Sequence, residues 1–449
     1  MALMMSVSGV RGLIGETLTP TLAAELGCAF GTLLGGGKVV IGRDTRPSGP
    51  MIQAAVVSGL LAAGCEPVLL EVASTPAVGL MVRRHKAAGG VVITASHNPI
   101  AWNGIKFLTD EGLAPPPDRA ERLYSLYNQK AFKLVDAVTI RQPAVDASAA
   151  AEHVEAALKI VDPPAIVAKR YRIVLDSING AGGEEGRLLL EKLGCEVIQV
   201  NGEPTGRFAH APEPIAENLT QLCDEVRKHK AVAGFAQDPD ADRLAIVDEQ
   251  GWFIGEEYTL ALAAKYLFKA LPGPTAANLS TSRMIDDLAA AVGGPCKVHR
   301  AAVGEANVVA AMKANGCVWG GEGNGGVIDT RVGVIRDSLT AMVLVLQLMA
   351  STGKSISQLV AEIPAYTMIK TKFECSKERI ARVLQAVKDK YRSGRVNDID
   401  GLRIDLPDGW VHIRGSNTEP IIRIIAEART GDRANALVGE MKAVLDSVA

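Results

Sequence analysis

Three times between residues 38 and 326 the chain repeats one rhythm of strand, helix, strand, helix, strand and then a loop of unusual polar residues. Short β-branched runs alternating with helix-length amphipathic segments are the pattern of α/β units. In the first round the pattern predicts strands at 38–42, 67–72 and 90–94 with helices at 49–64 and near 76–85. The second places strands at 171–176, 196–200 and 231–235 around helices at 182–193 and near 216–229. The third places strands at 275–279 and 295–299 and helices at 282–292 and 304–314, ahead of a glycine-rich turn. A period this long reads as three similar domains and not as a short-repeat solenoid.

The tail breaks the rhythm. Strand-like stretches at 366–374, 402–406, 409–414 and 420–427 lie between helices near 376–392 and 431–447, which predicts a smaller α+β domain. With linkers at 140–150 and around Pro364, the expected domains are 1–145, 146–252, 253–363 and 364–449. A chain of 449 residues has material for several cores.

Composition narrows the function. The 48 basic and 50 acidic residues leave a net charge of −2, so nothing global favours nucleic acid or an anionic membrane, and anion recognition must be local. No apolar run reaches the ~20 residues that span a bilayer, and the first residues lack the charged start and apolar stretch of a signal peptide. Seven scattered cysteines without a Cys-x-x-Cys read as reduced thiols, so a cytoplasmic protein is expected.

Four loops carry the chemistry. In Thr94-Ala95-Ser96-His97-Asn98-Pro99 an apolar strand delivers a serine to a proline-terminated turn, with Asn103-Gly104-Ile105-Lys106 close behind. This is neither the Gly-x-Ser-x-Gly elbow of hydrolases nor a serine with a visible base. Asp238, Asp240 and Asp242 alternate directly after a strand; carboxylates so close raise one another's pKa unless a cation compensates, and a hard ion such as Mg²⁺ suits oxygen ligands. An acidic surface turn is the plain alternative. An EF-hand is disfavoured by Arg243 at the position that needs glycine, and by the strand-like flanks. Beside such a metal site, Ser96 makes best sense as a phosphorylated carrier.

The third loop, Gly320-Gly321-Glu322-Gly323-Asn324-Gly325-Gly326, lets backbone approach a ligand and offers Glu322 and Asn324 to hydroxyls. The fourth, Arg414-Gly415-Ser416-Asn417-Thr418-Glu419-Pro420 with Arg423 beyond, has the donors of a phosphate cradle. Arginines in glycine-bounded loops near Arg11 and at Gly42–Arg46 can be functional or can simply tie down turns. Most histidines, His153 and His412 among them, read as ordinary surface or packed residues, and no zinc spacing is present.

In this order the four loops resemble those of the α-D-phosphohexomutase superfamily, and the resemblance covers nearly the whole chain. It implies three related mixed α/β domains and a smaller, mobile C-terminal α+β domain around a central cleft. It further implies an intramolecular phosphotransferase that moves phosphate between the 1- and 6-positions of a hexose phosphate, through phospho-Ser96 and a hexose 1,6-bisphosphate. One Mg²⁺ per chain would sit on Ser96, Asp238, Asp240 and Asp242, with His97, Asn98 and Arg243 in support. Arg11 and Lys106 would act beside the transferred group. Glu322 and Asn324 would meet the sugar, and Arg414, Ser416, Asn417, Thr418 and Arg423 would grip the second phosphate. The expected partner is a small hexose phosphate, with no nucleic acid or membrane, for a monomer or homodimer.

The third loop departs from the Glu-x-Ser-Gly-His of many bacterial relatives: Asn324 stands for the serine and Gly326 for the histidine. That form is most similar to an archaeal-type phosphoglucosamine mutase branch, ahead of glucose or mannose phosphate mutases. A metal-dependent sugar phosphatase and a non-catalytic sugar-phosphate sensor are the readings from other classes.

Overall fold

A computed structural model of the chain describes residues 3–391, 395–415 and 420–448. They form two units, Met1–Tyr266 with Asn324–Val360, and Leu267–Gly323 with Ala361–Ala449.

The first unit opens with a seven-stranded sheet. Its order is Met4–Ser6, Gly9–Leu13, Trp102–Thr109, Gly89–Ile93, Gly37–Arg43, Cys65–Val72, Ala144–Val145. The last four run parallel, and Trp102–Thr109 pairs antiparallel with Gly89–Ile93. Because side chains alternate across a strand, Val39, Ile41, Val91 and Ile93 enter one core with Leu26, Phe30, Ile52 and Leu60. Their neighbours Val40 and Val92 enter another with Val68, Val78 and Met81. Burial on both faces is why these strands read as unbroken apolar runs. The helices Pro20–Leu34 and Gly49–Ala62 touch through glycine: a Cβ on Gly59 would lie 2.0 Å from the Ala24 carbonyl oxygen, and one on Gly27 2.5 Å from that of Val56.

The unit's second sheet has the order Leu244–Val247, Ala233–Gln237, Arg172–Asp176, Glu196–Val200, parallel except for the first pair. The helix Ser338–Thr352, arriving from later in the chain, packs on the helices Ala149–Leu158, Pro163–Val167 and Gly183–Lys192. Every residue from Ser338 to Met349 is buried, so this helix is an interior element without a polar face.

In the second unit Lys297–Ala301, Pro274–Asn278 and Trp319–Glu322 pair in parallel. A separate five-stranded antiparallel sheet has the order Thr367–Glu374, Ile421–Ala428, Gly409–Gly415, Leu402–Leu406, Arg395–Asn397. One face, with Ile404, Val411 and Ile413, forms a core with residues of the helices Lys377–Lys390 and Gly431–Ser447. The alternate residues Arg403, Trp410 and His412 are also buried: Arg403 and His412 bond to the 278–283 segment, and the Trp410 indole N–H donates to Glu427.

The expected α/β rounds and the different tail are both present. Two strands begin two residues later than the pattern suggested, at Ala233 and Lys297, and residues 216–218 form a 3₁₀ turn ahead of the helix Thr220–His229. The seven cysteines are free thiols, and no described helix is long and apolar enough to cross a membrane.

Candidate active site

Ser96 follows the strand Gly89–Ile93 and has a left-handed backbone, φ 49°, a conformation that a non-glycine residue keeps only when its surroundings impose it. The imposing group is Arg46. Its guanidinium is fully buried and donates to the carbonyls of Ser96 (2.6 Å), Asn98 (2.6 Å), Pro99 (2.8 Å) and Trp102 (3.0 Å), while Nε pairs with Asp44 at 3.1 Å. Asp44 also accepts from Thr94 Oγ1 (2.6 Å), and Thr94 Oγ1 accepts from Ser96 N (2.9 Å). The Gly42–Arg46 loop is thus the mould of the serine turn. The Ser96 hydroxyl is left to donate to Asp238 Oδ2 at 3.0 Å, with His97 Nδ1 at 3.3 Å.

Asp238, Asp240 and Asp242 follow the strand Ala233–Gln237, all buried, with candidate ligand oxygens within 4.8 Å of one another. Three consecutive carbonyls fix this loop from three directions. Pro239 O accepts from Ala181 N (2.9 Å), Asp240 O from Thr75 N (2.9 Å) and Ala241 O from Ser338 N (3.2 Å). Asp238 Oδ1 closes the turn by accepting from the backbone N–H groups of Asp242 (3.1 Å) and Arg243 (3.2 Å).

The electrostatics are divided among the three carboxylates. Burial, then Asp242 and Asp240, pushes the Asp238 carboxyl well above its ordinary range. Burial pushes Asp240 the same way, but Lys106 at 2.6 Å and Thr75 at 2.7 Å overcome it and hold Asp240 ionised. Lys106, against the pull of burial, is kept protonated by Asp240 and Asp242. Burial drops His97 to about 3, helped by Arg243 and Arg11, so its imidazole is neutral and a poor base. Arg11 donates to Asn98 Oδ1 at 2.8 Å, and burial lowers its pKa. Asp240 Oδ1 and Asp242 Oδ1 are buried acceptors without a hydrogen-bond donor. Orphaned carboxylate oxygens at such a spacing are the donor set of a hard divalent cation, so these residues fit Mg²⁺.

One residue here was not visible in the motifs. Arg336, 94 positions beyond Asp242, donates to Asp242 Oδ2 at 2.6 Å. Its stem fills the space over Gly326, where a Cβ would lie 2.2 Å from Arg336 Cδ. The glycine in place of histidine therefore makes room for a cation on the third aspartate. The sequence signal was the Arg336-Asp337-Ser338 start of an apolar helix, with Asp337 as its cap (Leu339 N to Oδ1, 2.8 Å). Gly326→Ala should drive Arg336 off Asp242 and lower activity roughly tenfold, the scale of one charged hydrogen bond. In an Arg336→Ala background the same change should add little, so additive losses in the double-mutant cycle would contradict the contact.

The structure brings Ser96, His97, Asn98, Arg11, Lys106, Asp238, Asp240, Asp242 and Arg243 together in the first unit. Asn324 belongs to the same unit, and its Oδ1 is buried without a donor; next to it Gly325 O accepts from Leu244 N at 3.0 Å, beside the aspartate loop. In the second unit, Glu322 Oε1 accepts from Asn278 Nδ2 (2.7 Å) and Gly304 N (3.0 Å). Arg414 lies directly across from Arg423 on adjacent strands, a pairing of like charges that a bound anion would relieve. Ser416, Asn417 and Thr418 lie outside the described residues.

The phosphoglucomutase/phosphomannomutase domain models match in chain order: domain I over residues 3–134, II over 151–251, III over 256–366 and the C-terminal domain over 368–444. The chain belongs to the phosphoglucomutase/phosphomannomutase family. That family lies in the α-D-phosphohexomutase superfamily, and its members are isomerases that transfer phosphate within a sugar. The chain is 38% identical to a "Probable phosphoglucosamine mutase" of Methanopyrus kandleri, over 96% of this chain and 95% of the relative. It is also 38% identical to a "Phosphoglucomutase/phosphomannomutase" of Thermococcus kodakarensis, over 95% and 94%. Among solved structures, a phosphoglucomutase/phosphomannomutase family protein from Burkholderia thailandensis superimposes with a TM-score of 0.87 at 26% identity, covering 99% of this chain and 98% of that one.

Proposed function

We propose that the chain interconverts hexose 1-phosphate and hexose 6-phosphate, with glucosamine phosphate as substrate, by passing a phosphoryl group between Ser96 and the sugar. The observation that carries this reading is the Ser96 hydroxyl on Asp238, in a turn where the imidazole beside it, His97, is too weak a base to activate it. A serine held on an aspartate of a cation-binding loop, and not on an imidazole, is suited to exchange a phosphoryl group beside that cation.

In the first half-reaction a sugar hydroxyl oxygen bonds to phosphorus as the bond from phosphorus to Ser96 Oγ breaks. The hydroxyl loses its proton to the site, and Ser96 Oγ ends as a hydroxyl. The resulting 1,6-bisphosphate turns end for end, and the reverse transfer from its other phosphate rephosphorylates Ser96. Lys106, held protonated by Asp240, serves as a fixed cation beside the transferred group, and Arg11 is aimed by Asn98 to share that work. Mg²⁺ on Asp238, Asp240, Asp242 and the phosphoserine would neutralise the transferring oxygens. Glu322 and Asn324 would orient the sugar, and Arg414 and Arg423, with Ser416, Asn417 and Thr418, the other phosphate. The four domains assigned to the sequence each contribute one of these loops. Seven free thiols support a cytoplasmic setting.

The choice of sugar rests on Asn324 and Gly326 in the third loop and on the Methanopyrus relative. Glucose or mannose phosphate is the second reading, favoured by the Thermococcus relative. Assays with the 6-phosphates of glucosamine, glucose and mannose should give 1-phosphates, fastest from glucosamine. EDTA should stop turnover and Mg²⁺ restore it; an unchanged rate would remove the metal from the mechanism. Steady release of inorganic phosphate would make the protein a phosphatase, and binding without turnover a sensor.

A further inference from the structure

Asp400 stands just ahead of the strand Leu402–Leu406; it touches Arg414 of one expected ligand loop directly and reaches Glu322 of the other through the turn Val303-Gly304. Its carboxylate accepts from Arg414 Nε at 3.2 Å and from the backbone N–H of Val303 at 3.0 Å. The next N–H along, that of Gly304, donates to Glu322 Oε1. One turn, Val303-Gly304, thus holds the Asp400 carboxylate by one amide and the Glu322 carboxylate by the next. Gly304 has φ 119°, which glycine adopts without strain and a side chain would not.

The main chain of Asp400 is held as firmly. Its carbonyl accepts from His412 Nε2 at 2.7 Å, and Ser280 Oγ lies 2.9 Å from His412 Nδ1. A carbonyl only accepts, so Nε2 carries the hydrogen and Nδ1 takes the Ser280 proton. Burial keeps the ring neutral, at about 4, and the tautomer is thereby fixed. Ser280 N donates in turn to Asn278 Oδ1, and Asn278 Nδ2 reaches Glu322 Oε1. Two separate hydrogen-bonded paths therefore run from Asp400 to Glu322, one through the turn and one through His412.

We propose that Asp400 is a positioning residue that fixes the Arg414 guanidinium relative to Glu322, and so sets the spacing at which a sugar and its phosphate are gripped together. The inference rests on the reading of Glu322 and Arg414 as substrate ligands. Its consequence is selectivity for hexose phosphates over the separate pieces. Inorganic phosphate needs only the loop that carries Arg414, whereas a hexose phosphate needs that loop and Glu322 at the right separation.

The test measures equilibrium binding of glucosamine 6-phosphate and of inorganic phosphate by calorimetry in a Ser96→Ala background, where no turnover intervenes. Asp400→Asn keeps an oxygen for Val303 but loses the charge that holds Arg414. It should weaken hexose phosphate binding about tenfold and inorganic phosphate binding less. Asp400→Asn and Arg414→Lys should be strongly non-additive in a double-mutant cycle. Equal weakening of both ligands, unchanged affinity or additive losses would overturn the inference. If Asp400→Asn lowers the thermal midpoint, His412→Gln tests the second path: it should weaken hexose phosphate more than inorganic phosphate, and equal loss counts against the proposal. Failure of the Ser96→Ala parent to bind any hexose phosphate would instead sink the mutase reading itself.

Discussion

Ser96→Ala should abolish mutase turnover, by roughly a thousandfold or more, while leaving the protein folded. The loss is large because the transferred group has nowhere else to reside: the other hydroxyl of the turn, that of Thr94, is tied to Asp44 and to the amide of residue 96, and only Ser96 Oγ meets the aspartate loop. The fold survives because Arg46 grips the carbonyl of residue 96 and not its side chain, and because Thr94 Oγ1 takes its amide. Mass spectrometry should find a phosphoryl group on the wild-type chain and none at position 96 of the variant. Full turnover by Ser96→Ala would discard the phosphoserine mechanism, whatever sugar the enzyme prefers.

The second large effect concerns stability. His153 is fully buried, with Nδ1 3.1 Å from Glu185 Oε2 and Nε2 3.0 Å from Asp337 Oδ2. Ionised carboxylates only accept, so both ring nitrogens carry hydrogen and the ring is an imidazolium. Burial opposes that charge, but Asp337 and Glu185 outweigh it and raise His153 to about 10. A group whose folded pKa is raised stabilises the protein fully below its unfolded value, near 6.5, and the contribution fades as pH climbs through the folded value. Wild type should therefore lose stability between about pH 7 and pH 10 in a way that a His153→Ala variant does not. At pH 7 the variant should be about 3–5 kcal/mol less stable, since two carboxylates are left buried without their cation. It should recover in part as acid neutralises them. Urea denaturation of both proteins across this range checks the claim, and parallel pH profiles would refute it.

How much of this could be read from the chain follows from distance along it. The strands around Val39–Ile41 and Val91–Ile93 were plain because both of their faces are buried and their runs are unbroken. The three aspartates were plain because alternation puts them in one turn. Arg336, Thr75 and Asp400 were not, because each acts through hydrogen bonds to residues distant along the chain, and a single arginine, threonine or aspartate has no local pattern. His153 was the hardest to read. An Ala-rich helix carrying one histidine looks the same whether that ring is packed neutral or clamped between two carboxylates. The role of Arg46 lay between these cases: its loop invited a structural reading, but its four carbonyl partners around Ser96 depend on how the strands are paired.

The interior helix Ser338–Thr352 has a consequence for the order of assembly. It follows residues 267–323, which belong to the other unit, yet it supplies the hydrogen-bond partner of Ala241, the carboxylate for His153 and, just before it, the arginine on Asp242. A nascent chain of 266 residues already holds the serine turn and all three aspartates. It lacks the apolar rod around which they close. During synthesis the serine turn and the aspartates must wait, incomplete, until the ribosome has released residue 352, so a late-arriving piece of this unit is the one that locks its centre.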